Sequence, residues 1–209
     1  NNFKGTFLFV SSSEAYGHPS VSDLPLSESS ILSPMSPYAV GKVAAEYLCS
    51  YWQKKNNLNI IIARPFTHIG PGQSDRFSVS SFARQVAQIM CDNKAPIIEV
   101  GNLDTTRDFT DVRDVVDAYW LLLKLNKKGI YNVCSGQEVS IRSVLKKIIN
   151  ISGRDISVQI DPGRLRNAEQ QRILGCAKKI HESTGWSPII NMNDTLTDTL
   201  NYWLKFYGK

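Results

Sequence analysis

A continuous apolar run, IIIAR at residues 60–64, constrains the fold more than any other feature of this 209-residue chain. A strand with one face in water alternates apolar and polar residues, whereas a strand covered on both faces is apolar throughout. The second pattern is typical of a parallel sheet with helices packed on both sides. Further predicted strands cover residues 7–11, 97–100, 130–133 and 157–160, and they alternate with longer helical segments. This alternation predicts an α/β fold with a mainly parallel sheet.

The helical segments have recognisable starts and ends. Ser36 is a good N-cap in front of Pro37, which suits the first position of a helix. Asp111 and Ser140 are N-caps of two later helices, and Gly153 follows the end of the second of these. The predicted helices cover residues 38–55, 77–92, 111–125, 140–151, 176–184 and 193–206.

Serines at positions 11, 12 and 13 lie at the carboxyl end of the first predicted strand, where open α/β sheets bind ligands. Tyr38 and Lys42 lie four residues apart in the next predicted helix and therefore share one face. A neighbouring ammonium favours the phenolate form of a tyrosine, and a strand-end hydroxyl can share the tyrosine proton. Such a set can donate and accept a proton at a carbonyl or alcohol. It indicates redox chemistry at an oxygen-bearing carbon.

The spacing of tyrosine and lysine is not specific by itself, because Tyr51 and Lys55 repeat it. At about 100° per residue, Tyr51 points to another side of the same helix than Tyr38. No serine cluster singles out this second pair. We interpret Tyr51 as a packing residue.

Charge and cysteine content limit the possible partners. The net charge of +5 and the pI of about 9.0 suit a small anionic substrate, but the charge is too diffuse to predict nucleic-acid binding. No Cys-x-x-Cys pair occurs, so we expect no metal site and reduced thiols in an intracellular protein. No apolar stretch approaches 18 residues, and we expect a soluble, cytoplasmic protein without a membrane partner. The four cysteines are Cys49, Cys91, Cys134 and Cys176.

A glycine-rich turn for a dinucleotide is missing from the sequence. Neither G-x-G-x-x-G nor G-x-x-G-x-x-G occurs, although a dinucleotide-binding half uses such a turn to admit the pyrophosphate. We therefore expect the chain to be the carboxyl-terminal part of a larger protein, or the missing half to come from elsewhere.

Seven segments, in this order, extend over nearly the whole chain: SSSEAYG (11–17), SPYAVGKVAAE (36–46), RPFTHIGPGQ (64–73), VGNL (100–103), RDFTDVRDV (107–115), YNVCSG (131–136) and DPGRLRNAE (161–169). Together they resemble the extended short-chain dehydrogenase/reductases that act on nucleotide sugars. The resemblance implies a Rossmann-type, doubly wound and mainly parallel sheet with a small α/β substrate-binding domain. Residues 1–66 with parts of 104–134 would be the remainder of the dinucleotide-binding domain. Residues 67–103 and 135–209 would mainly form the substrate domain.

The resemblance also implies catalytic roles. Ser12 would polarise a ketone, Tyr38 would donate the proton, and Lys42 would hold the nicotinamide ribose and tune Tyr38. The implied cofactor is NADP(H) or NAD(H). Its predicted binding residues are Ser11, Tyr38, Lys42, Pro65, Phe66 and His68.

The substrate residues implied by the resemblance serve a GDP-sugar. They are Ser13, Glu14, Thr67, Arg107, Arg166 and Glu169. The two arginines would bind the diphosphate, and Glu169 would bind the guanosine ribose, since an arginine fork suits phosphate and a carboxylate suits hydroxyls. The family usually has asparagine where Thr67 stands. Glu14 is either an acid in elimination chemistry or a solvated side chain.

The resemblance is strongest to the reductase branch that acts on GDP-4-dehydro-6-deoxy-D-mannose. It implies reduction of the C4 ketone to GDP-D-rhamnose in a protein that pairs as a homodimer through the helix at 38–55. Two alternatives stay open. One is a GDP-mannose 4,6-dehydratase, or another nucleotide-sugar dehydratase or epimerase, which shares the same triad. The other is a non-catalytic fragment that binds a sugar nucleotide or another subunit, which the missing glycine turn favours.

Overall fold

The chain divides into two compact units. The computed structural model describes residues 3–92, 94–165 and 170–208. One unit contains Asn1–His68, Asp108–Gln137 and Ile173–Ile189, and the other contains Ile69–Arg107, Glu138–Arg172 and Ile190–Lys209. Assignment of these units to cofactor and substrate domains stays a prediction.

The first unit contains a three-stranded parallel sheet in the order β1-β2-β6. Its strands are β1 (Thr6–Val10), β2 (Asn59–Pro65) and β6 (Gly129–Val133). Leu8 of β1 pairs with Ile61 of β2, and Ala63 of β2 pairs with Tyr131 of β6. Every residue of β2 after the first is buried. This burial confirms the prediction of a strand covered on both faces.

The same unit contains the helices α1 (Pro37–Asn56), α3 (Val112–Lys124) and α5 (Lys178–Thr184). Ser36 caps α1, since its hydroxyl accepts the Ala39 amide at 3.1 Å, and Pro37 is the first helical residue as predicted. The predicted cap Asp111 likewise accepts the Arg113 amide at 2.8 Å. The sheet shares an apolar core with α3 and α5, made of Ile61, Ala63, Val115, Ala118, Leu122, Tyr131, Val133, Ile180 and Trp186.

The described residues of the second unit form a parallel pair of strands and three α-helices. The strands are β4 (Ile97–Val100) and β8 (Ser157–Ile160), and the helices are α2 (Ser78–Asp92), α4 (Ile141–Ser152) and α6 (Met192–Tyr207). Ser140 caps α4, and Gly153 ends it at a φ of 63°, as predicted. The indole of Trp203 donates to the Ser80 hydroxyl at 3.0 Å and joins α6 to α2.

Three short strands and three 3-10 helices were not predicted from the sequence. The strands are β3 (Thr67–Ile69), β5 (Thr106–Asp111) and β7 (Glu138–Ser140), and the 3-10 helices are Ser13–Tyr16, Val21–Asp23 and Pro162–Arg164. These strands are short or rich in polar residues, so apolar periodicity does not mark them. Within the described residues, no helix has both the length and the apolar character needed to cross a bilayer.

Candidate active site

The three serines form the turn that ends β1. The Ser11 amide donates to Ala63 O at 2.7 Å, which extends the pairing of β1 with β2 by one residue. The half-buried Ser12 accepts the Glu14 amide on its hydroxyl at 3.1 Å and caps the 3-10 helix that follows. Ser13 is buried. Because each serine has a different local role, the turn has a defined conformation at the carboxyl end of the strand.

The first turns of α1 lie against this strand end. The Lys42 ammonium donates to Val10 O, the last carbonyl of β1, at 2.8 Å. It also lies 5.5 Å from the centre of the Tyr38 ring and 5.3 Å from that of Phe9. Lys42 is half-buried, whereas Tyr38 is 54% exposed, so its phenol is accessible to a ligand. The lysine thus connects the exposed tyrosine to the strand that leads into the serine turn.

A further tyrosine in this region was not found by sequence analysis. Tyr119 of α3 is half-buried and interacts electrostatically with Tyr38. Burial raises the pKa of Tyr119, and Tyr38 adds to the rise. Tyr119 is therefore a neutral phenol near an exposed one. Its helical position gave no signal that distinguishes it from an ordinary packing residue.

The segment after β2 supplies the second group of predicted site residues. Parallel neighbours end at the same edge of a sheet, so this segment follows the edge that carries the serines. Pro65 and Phe66 are buried, Thr67 is half-buried and His68 is exposed. The Phe66 amide donates to Val133 O at 2.9 Å, and the His68 ring nitrogen Nδ1 lies 3.1 Å from Phe66 O. Phe66 therefore anchors the segment, and His68 is the side chain open to solvent.

Glu14 is exposed and lies between the serine turn and α1. Its carboxylate accepts a long hydrogen bond from the Ser36 hydroxyl at 3.4 Å. Because Ser36 caps α1, this bond joins the turn to the start of the helix that carries Tyr38. The exposure leaves the carboxylate accessible, and its role stays a prediction.

Among the predicted nucleotide-binding residues, Arg107 belongs to the second unit. Arg107 is half-buried, and its guanidinium donates to Thr106 O at 2.7 Å. Arg166 and Glu169 lie outside the described residues. Across the parts of the chain that the structure describes, no group of three or more histidine, cysteine, aspartate or glutamate side chains is arranged to hold a metal ion.

A buried ion pair lies beneath the serine turn, and sequence analysis gave it no role. Arg64 and Glu46 make two hydrogen bonds of 2.9 and 2.6 Å, and their side chains are 3% and 5% exposed. Burial opposes the charge on Arg64, but hydrogen bonds with Glu46 and Tyr16 raise the pKa of the guanidinium. The available signal was Glu46 itself, which follows Tyr38 and Lys42 at the same four-residue interval.

An exposed tyrosine and a lysine on a helix that contacts the serine-rich end of a parallel strand are the arrangement predicted for the short-chain dehydrogenase/reductase class. Comparison with known proteins agrees with this class. Residues 2–199 match the family described as GDP-mannose 4,6 dehydratase, and the chain belongs to this family.

Individual relatives and a solved structure show which kinds of enzyme in this family the chain is similar to. GDP-6-deoxy-D-mannose reductase of Pseudomonas aeruginosa is 44% identical over 202 residues, which cover 96% of this chain and 66% of the relative. GDP-mannose 4,6-dehydratase of Yersinia enterocolitica is 25% identical over 220 residues, which cover 91% of this chain and 58% of the relative. The solved structure of RMD from Pseudomonas aeruginosa, complexed with NADPH, matches with a TM-score of 0.93 and 41% identity, over 98% of this chain and 68% of that one.

These matches confirm the predicted Rossmann-type α/β fold. The chain spans about two thirds of the length of the reductase and less of the dehydratase.

Proposed function

We propose that this protein reduces the C4 ketone of GDP-4-dehydro-6-deoxy-D-mannose to GDP-D-rhamnose with NADPH or NADH. The observation that supports the proposal is the bond of Lys42 to the end of β1, which joins the helix that carries the exposed Tyr38 to the strand that leads into the serine turn. The greater identity to the reductase, 44% against 25% for the dehydratase, favours reduction over elimination.

The proposed proton donor is Tyr38. When bound, the reduced nicotinamide supplies a hydride to the ketone carbon. Ser12 donates a hydrogen bond to the ketone oxygen, and Tyr38 gives its proton to the oxygen as negative charge develops there. Lys42 stabilises the phenolate that Tyr38 leaves behind, because opposite charges a few ångströms apart favour the ionised form.

The residues around Tyr38 suit a nicotinamide riboside. An ammonium has three N–H donors, and Lys42 gives one to Val10 O, so the others would bind ribose hydroxyls. Ser11 and His68 supply polar groups after β1 and β2, and Pro65 is the buried last residue of β2. Phe66 is buried, so its packing would hold the segment in place.

The proposed substrate contacts distinguish the sugar from the nucleotide. Ser13, Glu14 and Thr67 would surround the sugar at the carboxyl ends of β1 and β2. Arg107 and Arg166 would bind the diphosphate, and Glu169 would accept hydrogen bonds from the guanosine ribose.

A 4,6-dehydratase is the second candidate, and the exposed carboxylate of Glu14 beside the start of α1 favours it. The test is to incubate the full-length protein with NADPH and GDP-4-dehydro-6-deoxy-D-mannose and to follow loss of reduced-nicotinamide absorbance. Chromatography of the product against GDP-D-rhamnose identifies the sugar. Turnover of GDP-mannose without turnover of the keto sugar would select the dehydratase. Calorimetric binding of GDP without turnover of either would select the non-catalytic alternative.

We also propose a cytoplasmic homodimer that pairs through α1. Four large side chains recur on one face of this helix: Tyr47, Leu48, Tyr51 and Trp52, which are 69%, 59%, 51% and 45% exposed. Free thiols at all four cysteines suit a reducing compartment. Sedimentation of the wild type and of Leu48→Lys tests the dimer, which the charged side chain should dissociate.

A further inference from the structure

The buried residues of α1, which the structure describes in full, are Ala39 and Glu46. Glu46 lies one helical step beyond Lys42 in the series Tyr38, Lys42, Glu46. Residues four apart lie on the same side of a helix at about 6 Å intervals along its axis. A contact that fixes Glu46 therefore limits how far α1 can rotate about its axis or shift toward the sheet. It thereby limits the positions that Tyr38 and Lys42 can take.

Glu46 is anchored from two directions. Arg64, at the end of β2, binds both carboxylate oxygens, at 2.9 Å through Nε and 2.6 Å through a terminal nitrogen. The Ser11 hydroxyl, just beyond β1, donates to the same carboxylate. Lys42 in turn donates to Val10 O. Successive turns of α1 thus bind successive residues of the chain at the end of β1.

Arg64 is held on its other side by groups from two further segments. Its guanidinium donates to the Tyr16 hydroxyl at 3.0 Å and lies 5.0 Å from the centre of that ring. The Tyr16 hydroxyl donates to Asn132 Oδ1 at 2.6 Å, and the Asn132 side-chain amide donates to Leu26 O at 2.9 Å. Since Tyr16 ends the 3-10 helix after the serines, the network spans both ends of the serine turn.

We propose that the Glu46–Arg64 pair is a positioning device that sets Tyr38 and Lys42 against the serine turn. A buried ion pair is costly to desolvate and can often be replaced by apolar side chains without loss of stability. Its bidentate geometry does, however, define distance and angle closely. The pair acts through Tyr38 and Lys42 without touching substrate, and the inference rests on the proposed reductase function.

The decisive variant is the double substitution Glu46→Leu with Arg64→Met in the full-length protein. Replacing both partners leaves no lone buried charge, so the protein should fold. A displacement of about 1 Å at a reacting group can cost about 10²-fold in rate. We therefore expect kcat, counted per NADPH-binding site, to fall by about 10²-fold while KM for the GDP-sugar stays within about twofold.

A readout independent of turnover is amide hydrogen exchange by mass spectrometry. We expect faster exchange at residues 10–16 and 37–42 in the double variant, with other segments unchanged. The matched control is the exposed pair Arg142 and Asp104, whose side chains are 48% and 76% exposed. Replacing both of these by alanine should change neither kcat nor exchange at residues 10–16 and 37–42.

The outcomes separate the two proposals. A folded double variant with wild-type kcat and wild-type exchange overturns the positioning role. Should the double variant fail to fold, Arg64→Lys decides, because lysine keeps the buried positive charge but cannot bind both carboxylate oxygens of Glu46 in the fixed fork geometry of arginine. In that variant, a lower kcat with faster exchange at residues 10–16 and 37–42 supports the positioning role. Wild-type values of both overturn it. A wild-type protein without reductase activity refutes the proposed function, while the exchange data still test the positioning.

Discussion

The two ends of helix α1 carry the same pair of side chains. Lys42 lies 5.5 Å from the centre of the Tyr38 ring, and Lys55 lies 5.4 Å from that of Tyr51. The tyrosines are 54% and 51% exposed. Helical spacing alone brings each lysine over its tyrosine. By local criteria the two pairs are therefore equivalent.

The contacts beyond the helix differ. Lys42 donates to Val10 O at the end of β1, whereas Lys55 donates to the hydroxyl of Tyr51 at 3.1 Å and lies over the Trp52 ring. The first pair is joined to a strand end with serines, and the second is joined to its own helix. The comparison predicts that only the pair that contacts the strand end takes part in catalysis.

The largest expected difference between the two pairs is the change in kcat when the tyrosine hydroxyl is removed. Tyr38→Phe should lower kcat for the keto sugar by about 10²- to 10⁴-fold, because general acid catalysis is removed. Tyr51→Phe should leave kcat within about twofold, since that phenol is hydrogen-bonded to Lys55 of its own helix. Steady-state rates with NADPH measure both. Equal losses in the two variants would show that the ends of α1 do not differ in function.

Removing the serine hydroxyl tests whether the strand end makes the difference. Ser12→Ala should lower kcat by about 10²- to 10³-fold, the usual cost of losing one donor to a developing oxyanion. The fold should persist, since the hydroxyl otherwise accepts one amide in a short 3-10 helix. Circular dichroism and kcat, measured together, check this. A folded variant with wild-type kcat would mean that Tyr38 works without Ser12.

Replacing the two lysines should produce a smaller difference in kcat than replacing the two tyrosines. Lys42→Met should lower kcat by about 10- to 10²-fold, less than loss of the acid itself, and raise KM for NADPH. The matched change Lys55→Met should affect neither constant and should alter the free energy of unfolding by less than about 0.5 kcal/mol. Kinetics and urea titration measure these effects. An unchanged KM for NADPH in Lys42→Met would contradict the proposed ribose contact.

The smallest expected effect concerns Tyr119, the phenol near Tyr38. Burial raises the pKa of Tyr119, so it keeps its proton throughout the working range. Tyr119→Phe should therefore leave the shape of the pH–rate profile unchanged between about pH 6 and pH 9. A profile that changes shape in this variant would contradict the expectation that Tyr119 keeps its proton over this range.

Much of the fold was predictable because its signals are local. The caps Ser36, Asp111 and Ser140 mark helix starts in the sequence and in the structure. The apolar run of β2 predicted a strand buried on both faces, and the burial of β2 confirms it. The strand β5 was missed because its sequence, TRDFTD, lacks the apolar pattern, and pairing with other segments makes it a strand.

The candidate site was predictable in part for the same reason. Tyr38, Lys42 and the serines stand in recognisable segments, and helical and strand geometry places them near element ends. The bond of Lys42 to Val10 joins residues 32 positions apart, and that of Arg64 to Glu46 joins residues 18 apart. Such contacts depend on how elements pack, which no short window of sequence contains.

The sequence by itself determined the α/β alternation, the ends of the main helices and the common face of each tyrosine and its lysine. These follow from backbone geometry over a few residues. The tertiary structure decided which of the two pairs meets the end of β1, and it buried Arg64 against Glu46 beneath the serine turn. Both outcomes depend on burial and hydrogen bonding between segments far apart in the chain, because a charged group leaves water only where a distant partner can replace the water.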